Sequence, residues 1–166
     1  MNAVAGKILW VNLTEGTCTT ETVPDSVYEH FLSGVGLAAY YLYQRIPARA
    51  DPLGPDNVLA FASGLLTSTG SLMTGRWIVA AKSPLTGTWG DSNCGGDLAP
   101  AIKQCGYDAI FFSGISPKPV YLSVTDGSAE LVDAADLVSF QNVGTPILAS
   151  SSSSSAVMRA RSKMPP

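Results

Sequence analysis

The residues that could do chemistry in this sequence lie in two polar loops on either side of a short apolar segment, 77–81, predicted to be a strand. Gly, Ser, Thr and Asn dominate both loops, and these residue types let backbone N–H groups come close to an anion. Arg76 is the one charged residue between Ser63 and Ala81, and a guanidinium there could bind a phosphate or carbonyl group through paired hydrogen bonds. The pattern fits a phosphate-bearing ligand, but it also fits plain turns with a surface arginine. The residues alone leave both interpretations open.

No catalytic grouping accompanies these loops. The single histidine, His30, lies in a predicted helix away from any nucleophile motif, and neither loop ends in the Gly-Lys-Ser/Thr of a P-loop. The three cysteines, Cys18, Cys94 and Cys105, form no C-x-x-C pair, so the sequence predicts neither a zinc site nor an iron–sulfur ligand set of its own. Cys94 follows Asn93 in the second loop, where either a stabilised thiolate or an inert small side chain fits the pattern.

Charge and composition exclude several classes of partner. The chain has 10 Lys and Arg against 13 Asp and Glu, a net charge of −3, and no basic block that could follow the phosphates of a nucleic acid. No apolar run approaches the ~20 residues needed to span a bilayer, and the first residues lack the apolar core of a signal peptide. We therefore expect a cytoplasmic protein that binds neither nucleic acid nor membrane.

Short strands dominate the elements that would position the loops. The segment 83–96, which contains Asn93 and Gly95, is predicted to be one long polar loop. Ser26-x-x-Glu29 has the form of a helix capping box, and Asp126-Gly127 is typical of a hairpin turn. Strands are predicted over 7–13, 18–23, 58–62, 77–81, 109–112, 120–124 and 129–132, and helices over 26–32, 37–45 and 97–105. Hairpins without regular βαβ alternation predict an α+β fold, with mixed or antiparallel β-sheets and a few short helices.

The composition changes after Leu137. An unbroken serine run occupies 150–155, and three basic residues follow it. Hydrophobic periodicity is absent from this part of the sequence. The pattern predicts one domain over 1–137 and a Ser-rich, poorly ordered tail over 138–166.

Motifs in the same loops make the sequence recognisable. Seven stretches follow one another in order: GKILWVNLTEG at 6–16, FLSGVGL at 31–37, DPLGPDN at 51–57, TGRW at 74–77, KSPLTGTWGDSNCGG at 82–96, KQCGYDAI at 103–110 and KPVYL at 118–122. Through these stretches the chain resembles the N-terminal domain of the tungsten-containing aldehyde ferredoxin oxidoreductase family. The resemblance runs from about residue 5 to Leu137.

The resemblance implies a base of β-sheets that carries a bis-pterin tungsten cofactor, or tungstopterin. It implies that Arg76 contacts the pterin, that Asn93 holds the magnesium ion bridging the pterin phosphates, and that Gly95 lies against the cofactor. These roles suit the residue types, because Arg offers planar donors and Asn offers a neutral oxygen to a hard cation. The implied activity is the oxidation of a small aldehyde to a carboxylic acid, with ferredoxin as the electron acceptor.

The sequence also departs from the family pattern. Val35 stands where the family usually has Arg, and the family's G-P-L-T-G-T loop is GLLTST at 64–69. The family's [4Fe–4S] ligands and acid/base residues lie in later domains, so we expect the chain to be a truncated or frameshifted member, inactive by itself. The alternatives are a non-catalytic pterin-binding or assembly module that joins separately encoded C-terminal domains, or an inactive gene fragment.

Overall fold

A computed structural model describes residues 3–125, 127–135 and 155–160 of the chain. The elements follow in the order β1 (Lys7–Asn12), β2 (Thr17–Thr22), α1 (Asp25–Phe31), α2 (Val35–Arg45), β3 (Val58–Ser63), β4 (Trp77–Lys82), β5 (Trp89–Cys94), α3 (Leu98–Gln104), β6 (Ala109–Ser113), β7 (Val120–Thr125), β8 (Ser128–Asp133) and β9 (Ser155–Ala160). The predicted α+β class is confirmed. None of the described helices is long and apolar enough to cross a membrane.

A six-stranded sheet in the order β2-β1-β6-β3-β4-β5 forms the centre of the fold. All its neighbours are antiparallel except β1 and β6, which run parallel, so the sheet is mixed. A smaller antiparallel sheet has the order β8-β7-β9. The hairpins β1–β2 and β7–β8 lie where the alternating pattern and the turn residues predict them.

Both faces of the large sheet are covered. Because successive strand residues point to opposite faces, Ile8 and Phe111 pack with α1 and α2 on one side, while Leu9 and Phe112 pack with α3 and β7 on the other. This burial on two sides explains the continuous apolar run of β6.

Three details differ from the sequence-based expectations. The capping box at Ser26 does not form: α1 begins after Pro24 and has no side-chain cap hydrogen bond. Part of the predicted loop 83–96 is the strand β5, which pairs along its whole length with β4. Within the predicted tail the structure places β9, which pairs with β7 through backbone hydrogen bonds; such pairing needs no apolar side-chain pattern. The rest of 138–166 lies outside the described residues, and the boundary at Leu137 stays a prediction.

A buried carboxylate, Asp108, fixes the start of the chain to the sheet. Its side chain is completely buried and accepts hydrogen bonds from the backbone N–H groups of Ala5 and Gly6 at 3.1 and 2.8 Å. The Tyr28 hydroxyl donates a third at 2.6 Å, and the Lys103 ammonium forms a salt bridge with it. With these four donors the charge is fully paired, as a buried carboxylate requires.

Replacing Tyr28 with Phe is expected to lower the free energy of unfolding by about 2 kcal/mol at pH 7, because a hydrogen bond to a charged group is lost. Burial, and then the hydrogen bond to Asp108, raise the pKa of Tyr28 well above its usual range. The folded state therefore holds the phenol proton more tightly than the unfolded state. The stability that this tighter proton binding contributes is fully present below pH about 10 and is lost as the pH rises above that value.

Urea unfolding at pH 9 and pH 11 is the measurement. The wild type should lose more stability between these values than Tyr28→Phe, and parallel losses would contradict the assignment. Tyr43→Phe is the control, because the Tyr43 side chain is 90% exposed and its change should have no measurable effect.

Candidate functional site

Three segments meet at one end of β4. Gly64, which follows β3, donates a backbone hydrogen bond to the carbonyl of Arg76 at 3.0 Å. A Cβ added at Gly75 would lie 3.4 Å from the carbonyl of Gly96, so the chain after β5 also packs here. From the turn between α1 and α2, the Ser33 hydroxyl donates to the Ser63 carbonyl at 2.9 Å. The loops that the sequence singled out are therefore neighbours in space.

The β3–β4 loop, 64–76, is held by hydroxyl groups. Thr67 is 2% exposed, and its hydroxyl donates to the Thr74 carbonyl at 2.7 Å across the loop. A Cβ on Gly64 would come within 3.3 Å of the same hydroxyl. The hydroxyls of Thr69 and Thr74 bond to the carbonyls of Leu66 and Ser71. These internal bonds fix the loop that leads to Arg76.

Arg76 and Asn93 are joined directly. Asn93 pairs with Ile78 in the β4–β5 register, and Arg76 is two residues before Ile78, so strand alternation puts both side chains on one face. The Arg76 Nε donates to the Asn93 Oδ1 at 2.6 Å. Both residues are exposed, so the guanidinium and the carboxamide form one accessible polar pair.

Gly95 lies beside this pair with its backbone open. Its carbonyl accepts a hydrogen bond from the Trp77 indole at 3.2 Å, which fixes the peptide. A Cβ added at Gly95 would meet no atom within 4 Å. The open space at Gly95 and the exposed donors and acceptor of the pair are the features that a flat or phosphate-bearing ligand needs.

The side chains at this site offer few ligand atoms for a cation. The Asn93 carbonyl oxygen is an appropriate ligand for Mg²⁺. Over the described part of the chain, no group of three or more His, Cys, Asp or Glu residues could hold a metal ion. Cys94 is exposed, and its thiol donates to the carbonyl of Gly95. An amide oxygen and a guanidinium side by side fit a ligand that carries both a cation and an anionic group.

Sequence reasoning selected Arg76, Asn93 and Gly95 but not the residues that support them. The Trp77 indole and the Ser33–Ser63 hydrogen bond join segments 18 and 30 positions apart in sequence, and the buried Thr67 hydroxyl acts across its own loop, seven positions from Thr74. The only signal for these supporting residues in the sequence was the Gly-, Ser- and Thr-rich composition of the loops. It gave no indication of which hydroxyls would be buried.

An apolar groove of about 550 Å³ lies between α2 and the β4–β5 hairpin, at the other end of β4. Its walls include Leu42, Tyr43, Ile46 and Trp89. Of the three tryptophans, Trp89 therefore lines a pocket, whereas Trp77 is buried in the core and Trp10 packs against it. The groove is separated from the polar pair by the length of β4.

The fold and these loops define the class of the protein: an α+β domain on a mixed six-stranded sheet, with polar glycine-rich loops gathered at one end of β4, next to the edge strand β5. The family model of the aldehyde ferredoxin oxidoreductase N-terminal domain matches residues 8–158. The chain belongs to this family.

Individual relatives support the same family assignment. The chain is 41% identical over 130 residues to a tungsten-containing aldehyde ferredoxin oxidoreductase of Pyrococcus abyssi, a match covering 78% of the chain and 21% of the relative. It is 31% identical over 137 residues to the WOR-like subunit of an aliphatic sulfonate oxidoreductase of Pyrococcus furiosus, covering 81% and 22%. The chain thus spans about a fifth of the length of the curated relatives it matches.

A solved structure is also similar. The active-site complex BamBC of benzoyl coenzyme A reductase, in complex with 1,5-dienoyl-CoA, superposes with a TM-score of 0.79 at 38% identity. The match covers 81% of this chain and 21% of that one. The same fold therefore also occurs in a benzoyl coenzyme A reductase.

Proposed function

We propose that this domain is the cofactor-binding base of a tungstopterin oxidoreductase that converts aldehydes to carboxylic acids and passes the electrons to ferredoxin. Arg76 would bind the pterin or its phosphate, the Asn93 carbonyl oxygen would hold a Mg²⁺ ion, and the open backbone of Gly95 would leave room for the cofactor. The observation that carries the proposal is the Arg76–Asn93 pair beside open space at Gly95. When bound, the tungsten centre would supply the redox chemistry of aldehyde oxidation, and a [4Fe–4S] cluster for the electrons would have to be held outside the described residues, which offer no ligand set for one.

In this proposal, the residues of this chain bind the cofactor and orient it. Arg76 offers fixed planar donors, which suit a heteroaromatic edge or a phosphate better than a lysine would. The hydroxyl bonds within 64–76 and the Trp77–Gly95 bond keep the loops in place before the ligand arrives, which reduces the cost of ordering on binding.

The relatives support a role in cofactor binding rather than substrate choice. They are an aldehyde ferredoxin oxidoreductase, a subunit of an aliphatic sulfonate oxidoreductase and a benzoyl-CoA reductase, yet each matches this chain over about four-fifths of its length. What such proteins share in this domain is the base on which a cofactor could lie. The choice of substrate then belongs to other parts of the proteins.

Tungsten and pterin analysis tests the proposal, with the chain purified alone and beside any neighbouring gene product. Arg76→Ala and Asn93→Ala are each expected to lower cofactor content about tenfold or more, the effect of losing a hydrogen bond to a charged group. Gly95→Val should have a similar effect by filling the open space. Arg49→Ala, an exposed arginine outside the loops, is the matched control. Equal cofactor content in all these variants would overturn the proposal, as would its absence from both wild-type preparations.

A second candidate is a pterin-binding or assembly module without activity of its own. Apolar side chains in the same loops favour it, since Leu72 and Met73 are 90% and 100% exposed. Cofactor bound by the chain alone would support this module, whereas cofactor found only beside a partner product would favour a shared site.

A further inference from the structure

The apolar groove between α2 and the β4–β5 hairpin has the size and the walls of a ligand site. Its volume of about 550 Å³ lies within the range of roughly 300–1,000 Å³ that small-molecule sites occupy. One wall is a single face of α2, formed at helical spacing by Ala39, Leu42, Tyr43 and Ile46. Trp89 lies on the hairpin side, and its ring, like that of Tyr43, is exposed. Aromatic rings that line a concave surface and remain accessible to solvent mark a place where an apolar group can bind.

A positive charge lies beside these apolar walls. Lys82 is the one charged residue among the described residues that line the groove. It is directly opposite Trp89 in the β4–β5 register, so the two side chains are neighbours on one face of the hairpin. Its ammonium donates hydrogen bonds to the carbonyls of Ala48 and Ala50 at 3.1 and 2.8 Å. These two bonds hold the charge in place at the groove.

The charge of Lys82 has no counter-ion in the described parts of the chain. The two ion pairs found there, Arg45–Glu21 and Lys103–Asp108, do not involve it, and the carbonyls it bonds to are neutral. Asp91, on the same hairpin, accepts a hydrogen bond from the Trp89 indole at 2.8 Å and does not line the groove. The groove is therefore electrostatically complementary to an anion.

The number of free donors narrows the kind of anion. An ammonium has three N–H groups, and Ala48 and Ala50 accept from two of them. One N–H is left, which suits one oxygen of a carboxylate. A phosphate carries more charge and three strong acceptor oxygens, which a single N–H does not satisfy.

We propose that this groove binds a small aromatic carboxylate. The ring of the ligand lies between the α2 wall and Trp89, and one carboxylate oxygen accepts the remaining hydrogen bond of the Lys82 ammonium. The bond from the Trp89 indole to Asp91 fixes the ring that receives the ligand, so little side-chain freedom is lost on binding. The groove is separate from the loops around Arg76, so this inference goes beyond the proposed function and does not depend on it.

NMR titration of the full chain with hydrocinnamate, hydrocinnamide and acetate tests the proposal. The indole N–H signal of Trp89 and the backbone amides of 43–48 and 87–89 report the place of binding. We expect hydrocinnamate to bind about tenfold or more tightly than the neutral hydrocinnamide, the effect of a hydrogen bond between charged groups. Acetate has no ring and should bind more weakly than hydrocinnamate by a similar factor. Equal affinities for the acid and its amide would overturn the proposal.

Lys82→Met separates the charge of Lys82 from its support of the neighbouring loop. This variant should weaken hydrocinnamate about tenfold but leave hydrocinnamide within about twofold. A merely structural role through Ala48 and Ala50 would weaken both ligands equally and would overturn the proposal. Lys82→Arg keeps the charge and should recover most of the lost affinity. Lys7→Met, at an exposed lysine outside the groove, is the matched control and should change neither affinity.

Tyr43→Ala tests the apolar wall without disturbing the core, since this side chain is exposed. It should weaken the acid and the amide alike, by about fivefold, because apolar contact with the ring is lost. Unchanged affinities would mean that the ring does not lie in the groove.

Two further outcomes identify a wrong site or a wrong occupant. Arg76→Ala should leave hydrocinnamate binding unchanged; if it weakens binding as much as Lys82→Met does, the anion binds at the cofactor loops and the groove proposal is wrong. If a second copy of the chain occupies the groove, the Trp89 indole signal will shift when the ligand-free protein is diluted, and this also overturns the proposal. If Lys82→Met does not fold, the comparison of acid and amide on the wild type still decides.

Discussion

Replacing Asp108 with Asn is expected to lower the free energy of unfolding by about 3–5 kcal/mol, the usual cost of leaving a buried charge without its partner. Asp108 is fully buried, and the side chain of Lys103 is 5% exposed. The amide nitrogen of Asn would also face groups that donate hydrogen bonds, among them the N–H of Gly6 and the hydroxyl of Tyr28. The loss should release the first residues of the chain from the sheet.

Urea unfolding followed by circular dichroism measures the effect. Asp97→Asn is the matched control, because Asp97 is exposed and makes no side-chain cap hydrogen bond to α3, and such surface changes usually stay within about 0.5 kcal/mol. If Asp108→Asn costs no more than this control, the buried pair does not stabilise the fold.

A double-mutant cycle tests whether the two charges act as a pair when both single variants fold; if Asp108→Asn does not fold, recovery of folding in the double variant gives the same answer. Lys103→Met leaves Asp108 with three neutral donors, so it should cost less than Asp108→Asn. The double variant should be more stable than the sum of the two changes predicts, because neither charge is then left alone. Additive effects would mean that the two side chains do not interact.

Local patterns predicted the elements whose neighbours are close in sequence. The β1–β2 and β7–β8 hairpins follow from alternating side chains and short turns, and the apolar run of β6 follows from burial on both faces. Strand β5 was missed because its residues, WGDSNC, are almost all exposed at the edge of the sheet. Its position depends on backbone pairing with β4, which leaves no periodic signal in the side chains.

Contacts between distant segments could not be predicted from the sequence. Asp108 is one of 13 acidic residues, and its hydrogen-bond partners at Ala5, Gly6 and Tyr28 are 80 to 103 positions away. Arg76 was selected from its loop and Asn93 from the family resemblance, but the bond between them depends on the register of β4 and β5. Residue types drew attention to the loops and the resemblance named their residues, whereas the geometry depends on strand pairing that local patterns do not encode.

Replacing Gly36 with Ala is expected to lower the free energy of unfolding by about 3 kcal/mol, the upper range for forcing an atom into a packed site. In an open helix the same change would stabilise by about 1 kcal/mol. Here the added Cβ would lie 1.8 Å from the carbonyl oxygen of Phe31, and backbone cannot give way as a flexible side chain can. Helices α1 and α2 must separate, although Tyr28 and Leu37 on them are almost completely buried.

The effect of Gly36→Ala should extend to the β3–β4 loop. Ser33, in the turn just before α2, donates a hydrogen bond to the Ser63 carbonyl at the end of β3. Thermal unfolding measures the stability, and chemical shifts of 63–76 report the loops. Gly95→Ala is the control: its Cβ meets nothing within 4 Å, so stability should stay level or rise by about 0.4–1 kcal/mol. A Gly36→Ala protein as stable as the control would show that the α1–α2 turn adjusts freely, and that its contact with β3 does not hold the loops in place.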